Sequence, residues 1–325
     1  MRQRRLGKTG YQVSEIGLGC WQLGGDFGPV GDETARAILS EAGRLGVDFW
    51  DTADVYGGGL SESRIGGFLG GKGGITVATK VGRNGELFPS NYKKAKVKES
   101  LAGSAKRLGV DTIDLAQLHC VPTEVMADGE IFTWMEDFQQ DGLIRHYGAS
   151  VETIEEGFLC LRHEKLASLQ IIFNLFRQDA AEGLLPAAEK ADVGVIVRLP
   201  LASGLLSGKF GKDTRFAPQD HRNYNRDGQA FSVGETFSGI PFDTGVDLVR
   251  SLAGLAPEGW PLAHLALRWI LDHKAVSSII AGVSRPEQLV QNVAAAAREP
   301  LPQALREELA AFYADKVRPA IRGGI

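Results

Sequence analysis

Eight times along this 325-residue chain, a short run rich in β-branched and aromatic residues gives way to a longer amphipathic stretch. The short runs are Val13–Gly19, Phe49–Ala53, Ile75–Val81, Thr112–His119, His146–Ser150, Leu169–Asn174, Gly194–Pro200 and Ser277–Val283. Helical spacing appears at Glu33–Leu45, Ser61–Leu69, Asn91–Leu108, Ile131–Gln140, Ile154–Arg162, Leu185–Lys190, Leu262–His273 and Glu287–Ala297. Strands that alternate with helices pair in parallel, because each crossover returns the chain to the same end of the sheet. Eight such units favour a closed (β/α)8 TIM barrel over an open doubly wound sheet. Two segments stand outside the repeat. Gly204–Val246, after the seventh strand, is rich in Gly, Asp, Arg and Asn and is expected as a long loop. Leu301–Val317 reads as an extra C-terminal amphipathic helix. No linker interrupts the pattern, so residues 1–325 are expected to form a single barrel domain.

Composition narrows the partners rather than the fold. Apolar residues make up 43% of the chain and charged residues 23%, with a formal net charge of −4, so nothing calls for nucleic acid or an anionic membrane. No apolar run reaches membrane-spanning length. The start, Met1-Arg2-Gln3-Arg4-Arg5, is basic, but no apolar run follows, and no signal peptide is expected. Cys20, Cys120 and Cys160 lack metal spacing and form no CxxC. Free thiols, no metal site and a cytoplasmic location are the expectation.

In such barrels the chemistry gathers at the C-terminal ends of the strands. The second strand ends in "FWDTADVYGGG", which supplies Asp51, Asp54 and Tyr56 before three glycines. The third ends in Thr79-Lys80-Val81 and the fourth in Leu118-His119-Cys120. The fifth ends in Ala149-Ser150, the sixth at Asn174 and the seventh in Arg198-Leu199-Pro200. Taken singly, Asp51 could cap a turn, His119 could be a core histidine and Lys80 could snorkel to the barrel mouth. Taken together, Asp51, Tyr56, Lys80 and His119 suit one reaction. Asp51 would keep a buried Lys80 charged, and that charge would lower the pKa of the Tyr56 phenol. The phenol could then give a proton to a developing alkoxide while His119 orients the carbonyl oxygen. That is the proton half of a carbonyl reduction.

The chain resembles the aldo-keto reductases over essentially its whole length. "RRLGKTGYQVSEIGLGCWQLGG" is similar to the family's N-terminal β-hairpin and first strand, and "DTADVYGGGLSE" to its D-T-A-x-x-Y-G-x-x-x-x-E signature. "ATKVG", "IDLAQLHC", "DGLIRHYGAS", "PLASGLLSGK" and "IAGVSRPEQLVQN" follow in family order. The resemblance implies a catalytic tetrad of Asp51, Tyr56, Lys80 and His119, with Tyr56 as general acid. It also implies a nicotinamide cofactor. A Gly-x-Gly-x-x-Gly loop is absent: Gly17-Leu18-Gly19 is a lone glycine pair and implies no Rossmann fold. By similarity, Ser150 and Gln170 would hold the carboxamide. Val151 stands where the family often has Asn. Arg198 stands where an aromatic residue usually backs the ring, and its planar guanidinium could stack there instead, as in some bacterial branches. Ser203, Gly204, Leu205, Ser207 and Lys209 resemble the turn that crosses the pyrophosphate. Ser284 and Arg285, before a helix opened by Pro286, would bind a 2′-phosphate, with Gln288 and Asn292 nearer the adenine. The cofactor path would also take in Gly19, Cys20, Trp21, Pro200, Leu201, Gly282 and Gln291. NADPH is therefore expected, with NADH as the alternative, because Gly282 and Gln288 replace a Lys and an Arg of better-known members.

Trp21, Tyr56, His119 and Cys120 are the expected substrate-pocket residues. Cys120 replaces a Trp of many reductases, which widens the mouth or leaves room for another loop. The cluster His221, Arg222, Asn223, Tyr224, Asn225 and Arg226 suits a sugar, a carboxylate or phosphate, a cofactor cover or a solvated loop equally. The expected partner is a small-molecule carbonyl compound, with neither nucleic acid nor membrane; the number of subunits stays open. The leading reading is an NADPH-dependent oxidoreductase that reduces small aldehydes, ketones or sugar-derived carbonyl compounds, reversibly in principle. The alternatives are a Schiff-base lyase using Lys80 and a non-catalytic NADPH-binding regulatory subunit.

Overall fold

A computed structural model describes all 325 residues. Strands β1 (Gln3–Arg5) and β2 (Gln12–Ser14) form an antiparallel hairpin, and β3 (Ile16–Gly19) opens the barrel. Then follow α1 (Asp32–Arg44), β4 (Phe49–Asp51), α2 (Leu60–Leu69), β5 (Thr76–Val81), α3 (Lys94–Leu108) and β6 (Ile113–His119). After them come α4 (Thr123–Asp128), α5 (Glu130–Gln140), β7 (Ile144–Ser150), α6 (Ile154–Cys160), β8 (Ser168–Ile172), α7 (Leu184–Lys190) and β9 (Gly194–Arg198). A one-turn α8 (His221–Tyr224) and α9 (Phe242–Ala253) lead to α10 (Leu262–Leu271), β10 (Val276–Gly282), α11 (Pro286–Ala296) and α12 (Gln303–Phe312). Strands β3 to β10 pair in parallel, in chain order, and β10 closes on β3. The expected (β/α)8 barrel, N-terminal hairpin and C-terminal helix are all present. No helix is long and apolar enough to cross a membrane.

The barrel strands are apolar on both faces because helices cover the outside and side chains fill the inside. Phe49, Ala78, Leu115, Ile196 and Ile280 meet inside the barrel, and Leu6 and Val13 of the hairpin join them from below. Arg4 fixes that plug. Its guanidinium donates to the carbonyls of Leu271, at 2.6 Å, and Val276, at 2.9 Å, and pairs with Glu15 at 3.2 Å.

Three expectations need correction. The run Val13–Gly19 is not one strand: Glu15 separates β2 of the hairpin from β3 of the barrel. At the joint, the adjacent polar residues Ser14 and Glu15 shift the apolar positions from Tyr11 and Val13 to Ile16 and Leu18, out of step by one residue. The short helix α4 falls between the expected fourth strand and helix. Finally, Gly204–Val246 is not a bare loop. It contains α8 and the first turn of α9, and Phe216, Phe237 and Phe242 pack together there, with Phe237 and Phe242 joining the main core.

Candidate active site

The strand ends bring the expected tetrad to one place. In the ladder, Asp51 pairs with Ala78, Lys80 with Gln117, His119 with Ser150, and Ser150 with Gln170. Side chains two residues apart on a strand share a face, so Gln117 and His119 both point where Lys80 points. Lys80 Nζ lies 2.5 Å from Asp51 Oδ2 and donates to the Thr52 carbonyl at 2.9 Å and to Tyr56 Oη at 3.3 Å. Asp51 Oδ1 accepts from Gln117 Nε2 at 3.1 Å and from Gln170 Nε2 at 2.9 Å. Lys80 is 1% exposed, and burial alone would discharge it. Asp51 and Tyr56 outweigh burial and raise its pKa, so it stays an ammonium.

Tyr56 departs from expectation in one respect. Burial raises its phenol to about 12, and the Lys80 charge only partly opposes this. The phenol is therefore protonated at neutral pH. Its oxygen accepts from Lys80, so its own proton is free for another acceptor. His119 stands edge-on to the Tyr56 ring, with centroids 5.9 Å apart. Burial, then the charges of Lys80, Arg83 and Arg198, push its pKa well below the ordinary value. The ring is neutral. Its buried Nδ1 has no partner, which favours the tautomer with the proton on the other nitrogen.

The loop that follows Asp51 has mixed duties. Gly57, Gly58 and Gly59 adopt left-handed φ of 59°, 62° and 93°, which turns the chain sharply from Tyr56 into α2. Asp54 accepts from Asn84 Nδ2 at 2.8 Å and Ser100 Oγ at 2.9 Å, tying this loop to the next one. Glu62 is buried and pairs with Arg107 at 2.7 Å. Both carboxylates serve the scaffold.

These groups open on a cavity of about 310 Å³. Gly19, Cys20, Trp21, Ser150, Gln170, Arg198, Pro200 and Gly282 line it, as does most of the tetrad: Asp51, Tyr56 and His119. Trp21 lies nearly parallel to Tyr56, with centroids 5.6 Å apart. Ser150 Oγ and Gln170 Oε1 are 3.4 Å apart. Arg198 is fixed by the Val151 carbonyl at 3.0 Å, while its Nε is buried without a partner. Gln22 Oε1 is also buried and unpartnered, and its amide fills the space that a Cβ on Gly282 would occupy. A planar carboxamide-bearing group fits this mixture of a flat guanidinium, a hydroxyl and unpaired amide atoms.

Other expected positions lie outside the cavity wall. Cys120 is buried behind it, and Glu235 of the long segment takes the freed space, 3.8 Å from the Cys120 sulfur. Ser203 receives a hydrogen bond from Phe237 N at 3.2 Å and donates to the Glu235 carbonyl at 3.3 Å, so its hydroxyl anchors that segment. Leu205 is buried, and Ser207 caps the Gly204 carbonyl at 2.6 Å. Leu201 and Gly204 are half-buried, and Lys209 is exposed. Farther along, Gln288 Oε1 accepts from the amides of Ser284, at 2.7 Å, and Arg285, at 3.2 Å, closing the N-terminus of α11. Arg285 and Gln291 are exposed and Asn292 is buried.

Sequence reading missed Gln22, Asp26, Phe27, Arg83, Phe88, Gln117, Phe231 and Glu235, all but Gln117 on the cavity wall. Gln117 carried a signal, being an amide inside an apolar strand two residues before His119. Arg83 sits two residues beyond β5. The long segment supplies the rest of the cover: His221 is fully buried, 4.8 Å from the Trp21 ring and 4.3 Å from Phe27. Its main-chain amide donates to the Asp26 carbonyl at 3.1 Å. Asp220 grips Arg222 at 2.6 Å, and Arg222 stacks over Phe216. This cluster is a packed cover rather than a solvated loop.

Comparison with known proteins bears on the family and the fold. The sequence model of the Aldo/keto reductase family matches residues 15–314. The chain is 31% identical over 304 residues to the oxidoreductase YqkF of Bacillus subtilis, covering 91% of each. It is 29% identical over 304 residues to an L-galactose dehydrogenase of Arabidopsis thaliana, covering 90% of this chain and 87% of the other. Its fold superposes on a glycerol dehydrogenase from Gluconobacter oxydans with a TM-score of 0.80 at 28% identity, covering 99% of this chain and 98% of that one.

Proposed function

The chain belongs to the aldo/keto reductase family, an oxidoreductase family that uses nicotinamide cofactors, and on that premise we propose that its single barrel domain reduces small carbonyl compounds with Tyr56 as the proton donor. The observation that carries the reading is the Asp51–Lys80–Tyr56 chain, 2.5 Å and 3.3 Å long, ending in a phenol at the cavity wall. Ser150, Gln170, Gln22 and Arg198 are the residues that would hold the nicotinamide end, and the bound cofactor supplies a hydride to the carbonyl carbon. The carbonyl oxygen would lie between the Tyr56 hydroxyl and the His119 N–H. Neutral His119 donates a hydrogen bond and shares the growing negative charge. Tyr56 releases its proton to the alkoxide, and Lys80 stabilises the tyrosinate left behind. Asp51 keeps Lys80 charged throughout.

NADPH is the cofactor we favour, with Arg285 exposed at the start of α11 and able to meet a 2′-phosphate. The aromatic walls Trp21, Phe27, Phe88, Tyr224 and Phe231, interleaved with Asp26, Arg83 and Glu235, suit a small polyhydroxy carbonyl compound. Relatives named for glycerol and for L-galactose accord with that choice. A Schiff-base lyase is disfavoured, because Lys80 is charged and already donates to three acceptors.

The test is oxidation of NADPH and of NADH, followed by absorbance, against aldehydes, ketones and aldoses. Turnover that is faster with NADPH is the expected outcome. Cofactor binding without turnover on any compound would favour a regulatory subunit, and borohydride trapping of a substrate on Lys80 would favour the lyase.

A further inference from the structure

Glu235 reaches the cavity wall from the long segment and lands between two guanidinium groups. Its carboxylate lies 2.9 Å from Arg83 and 3.5 Å from Arg198. The side chains of Glu235, Arg198 and Arg83 are 6%, 11% and 14% exposed. Glu152, just beyond β7, meets Arg83 at 3.0 Å from the other side. A third guanidinium, that of Arg177, lies behind the segment and donates to the Glu152 and Gly324 carbonyls. Three arginines thus face two carboxylates. Asp179, which faces Arg177, pairs with Arg318 at 2.6 Å; nearer Arg198, burial raises the Cys120 thiol to about 12, His119 is neutral, and Lys80 is balanced by Asp51.

This arrangement matters because of what lies along Arg198. On the functional reading above, which this inference rests on, Arg198 backs the nicotinamide ring. That ring is uncharged when reduced and carries one positive charge when oxidised. An uncompensated guanidinium against it would penalise the oxidised form selectively, strongly so in a site closed to water.

We propose that the Glu235 carboxylate, 3.5 Å from the Arg198 guanidinium, offsets its charge at the ring-binding wall, so that the cationic, oxidised cofactor is not selectively rejected. The shorter of its two contacts ties the segment to Arg83 in the loop after β5, and Arg198 faces the same carboxylate oxygen. The segment is already anchored by Ser203 and Asn174 side chains and by its aromatic core, none of which needs a buried charge. A buried carboxylate also costs desolvation, which the two arginines must offset.

The test is the ratio of dissociation constants for NADP⁺ and NADPH, measured by fluorescence titration on the isolated protein. It is read at about pH 8, above the value of about 7 to which burial and the Glu235 charge raise Glu152 in the wild type. Glu235→Gln is expected to raise the oxidised-to-reduced ratio by roughly tenfold or more, as for one charge removed a few ångströms away at an effective dielectric near 20. Arg198→Met carries the opposite sign and should lower the ratio; this arm stands even if Glu235→Gln does not fold. The double variant should return the ratio to within about threefold of wild type. Equal weakening of both forms, or a ratio unmoved by either substitution, overturns the assignment of Glu235. A wild type that binds neither NADPH nor NADH contradicts the functional reading itself.

Discussion

The tetrad shows how one buried charge fixes the states of its neighbours. Lys80 is enclosed at the end of an apolar strand, yet its ammonium is held by Asp51, Thr52 and Tyr56. Removing it strands Asp51, which then keeps only two neutral amide donors. Lys80→Met is accordingly expected to lower the unfolding free energy by about 3–5 kcal/mol, measured by denaturant titration. Tyr56→Phe deletes one weak acceptor and should cost about 1 kcal/mol or less. Equal losses for the two would contradict the claim that Asp51 and Lys80 are one electrostatic unit. The residue scale was also the most legible in the sequence. A lysine and a histidine at the ends of apolar strands are hard to place without a partner. What could not be read was the raised pKa of the Tyr56 phenol, because burial beneath Trp21 depends on a loop whose path the sequence pattern does not specify.

At the scale of elements, the long segment after β9 is the cover of the cavity. Its aperiodic composition hid both its order and its contribution of Glu235 and Phe231 to the wall. Such segments fold by packing on what lies beneath them, here Trp21 and Phe27, and not by any period of their own. His221 is the clearest case. It is fully buried with neither ring nitrogen paired, and burial lowers its pKa from 6.5 to about 4. The sign follows from proton counting. Between those values the unfolded chain binds a proton that the native ring refuses, so stability falls as the pH falls. The loss accumulates to about 3 kcal/mol at the acid end of that window. His221→Phe keeps an aromatic ring there and removes the titration. Its stability relative to wild type should rise by about that amount between neutral pH and pH 4, measured by urea unfolding at each pH. A difference that stays constant with pH would show that His221 is not buried in its neutral form.

Across the whole molecule, the barrel separates stability from chemistry. The hairpin and Arg4 close the N-terminal end, while every tetrad side chain sits at the other end. Arg4→Met removes an ion pair and three carbonyl hydrogen bonds and should cost about 2–4 kcal/mol. The dissociation constant for NADPH should stay within about twofold of wild type, since the two ends share only the barrel core. This architecture was readable because its cause is repetitive: eight apolar runs with eight amphipathic partners admit few closed arrangements. The break at Glu15 and the helix α9 do carry signals: Ser14 and Glu15 are adjacent polar residues, and Phe242, Val246, Val249 and Leu252 recur at helical spacing. The most direct test of the whole account is single-turnover reduction of an aldehyde by NADPH-loaded enzyme, wild type beside Tyr56→Phe. If Tyr56 delivers the proton, the variant should bind NADPH as wild type does and turn over roughly a hundredfold or more slowly. Equal rates in the two proteins would contradict it.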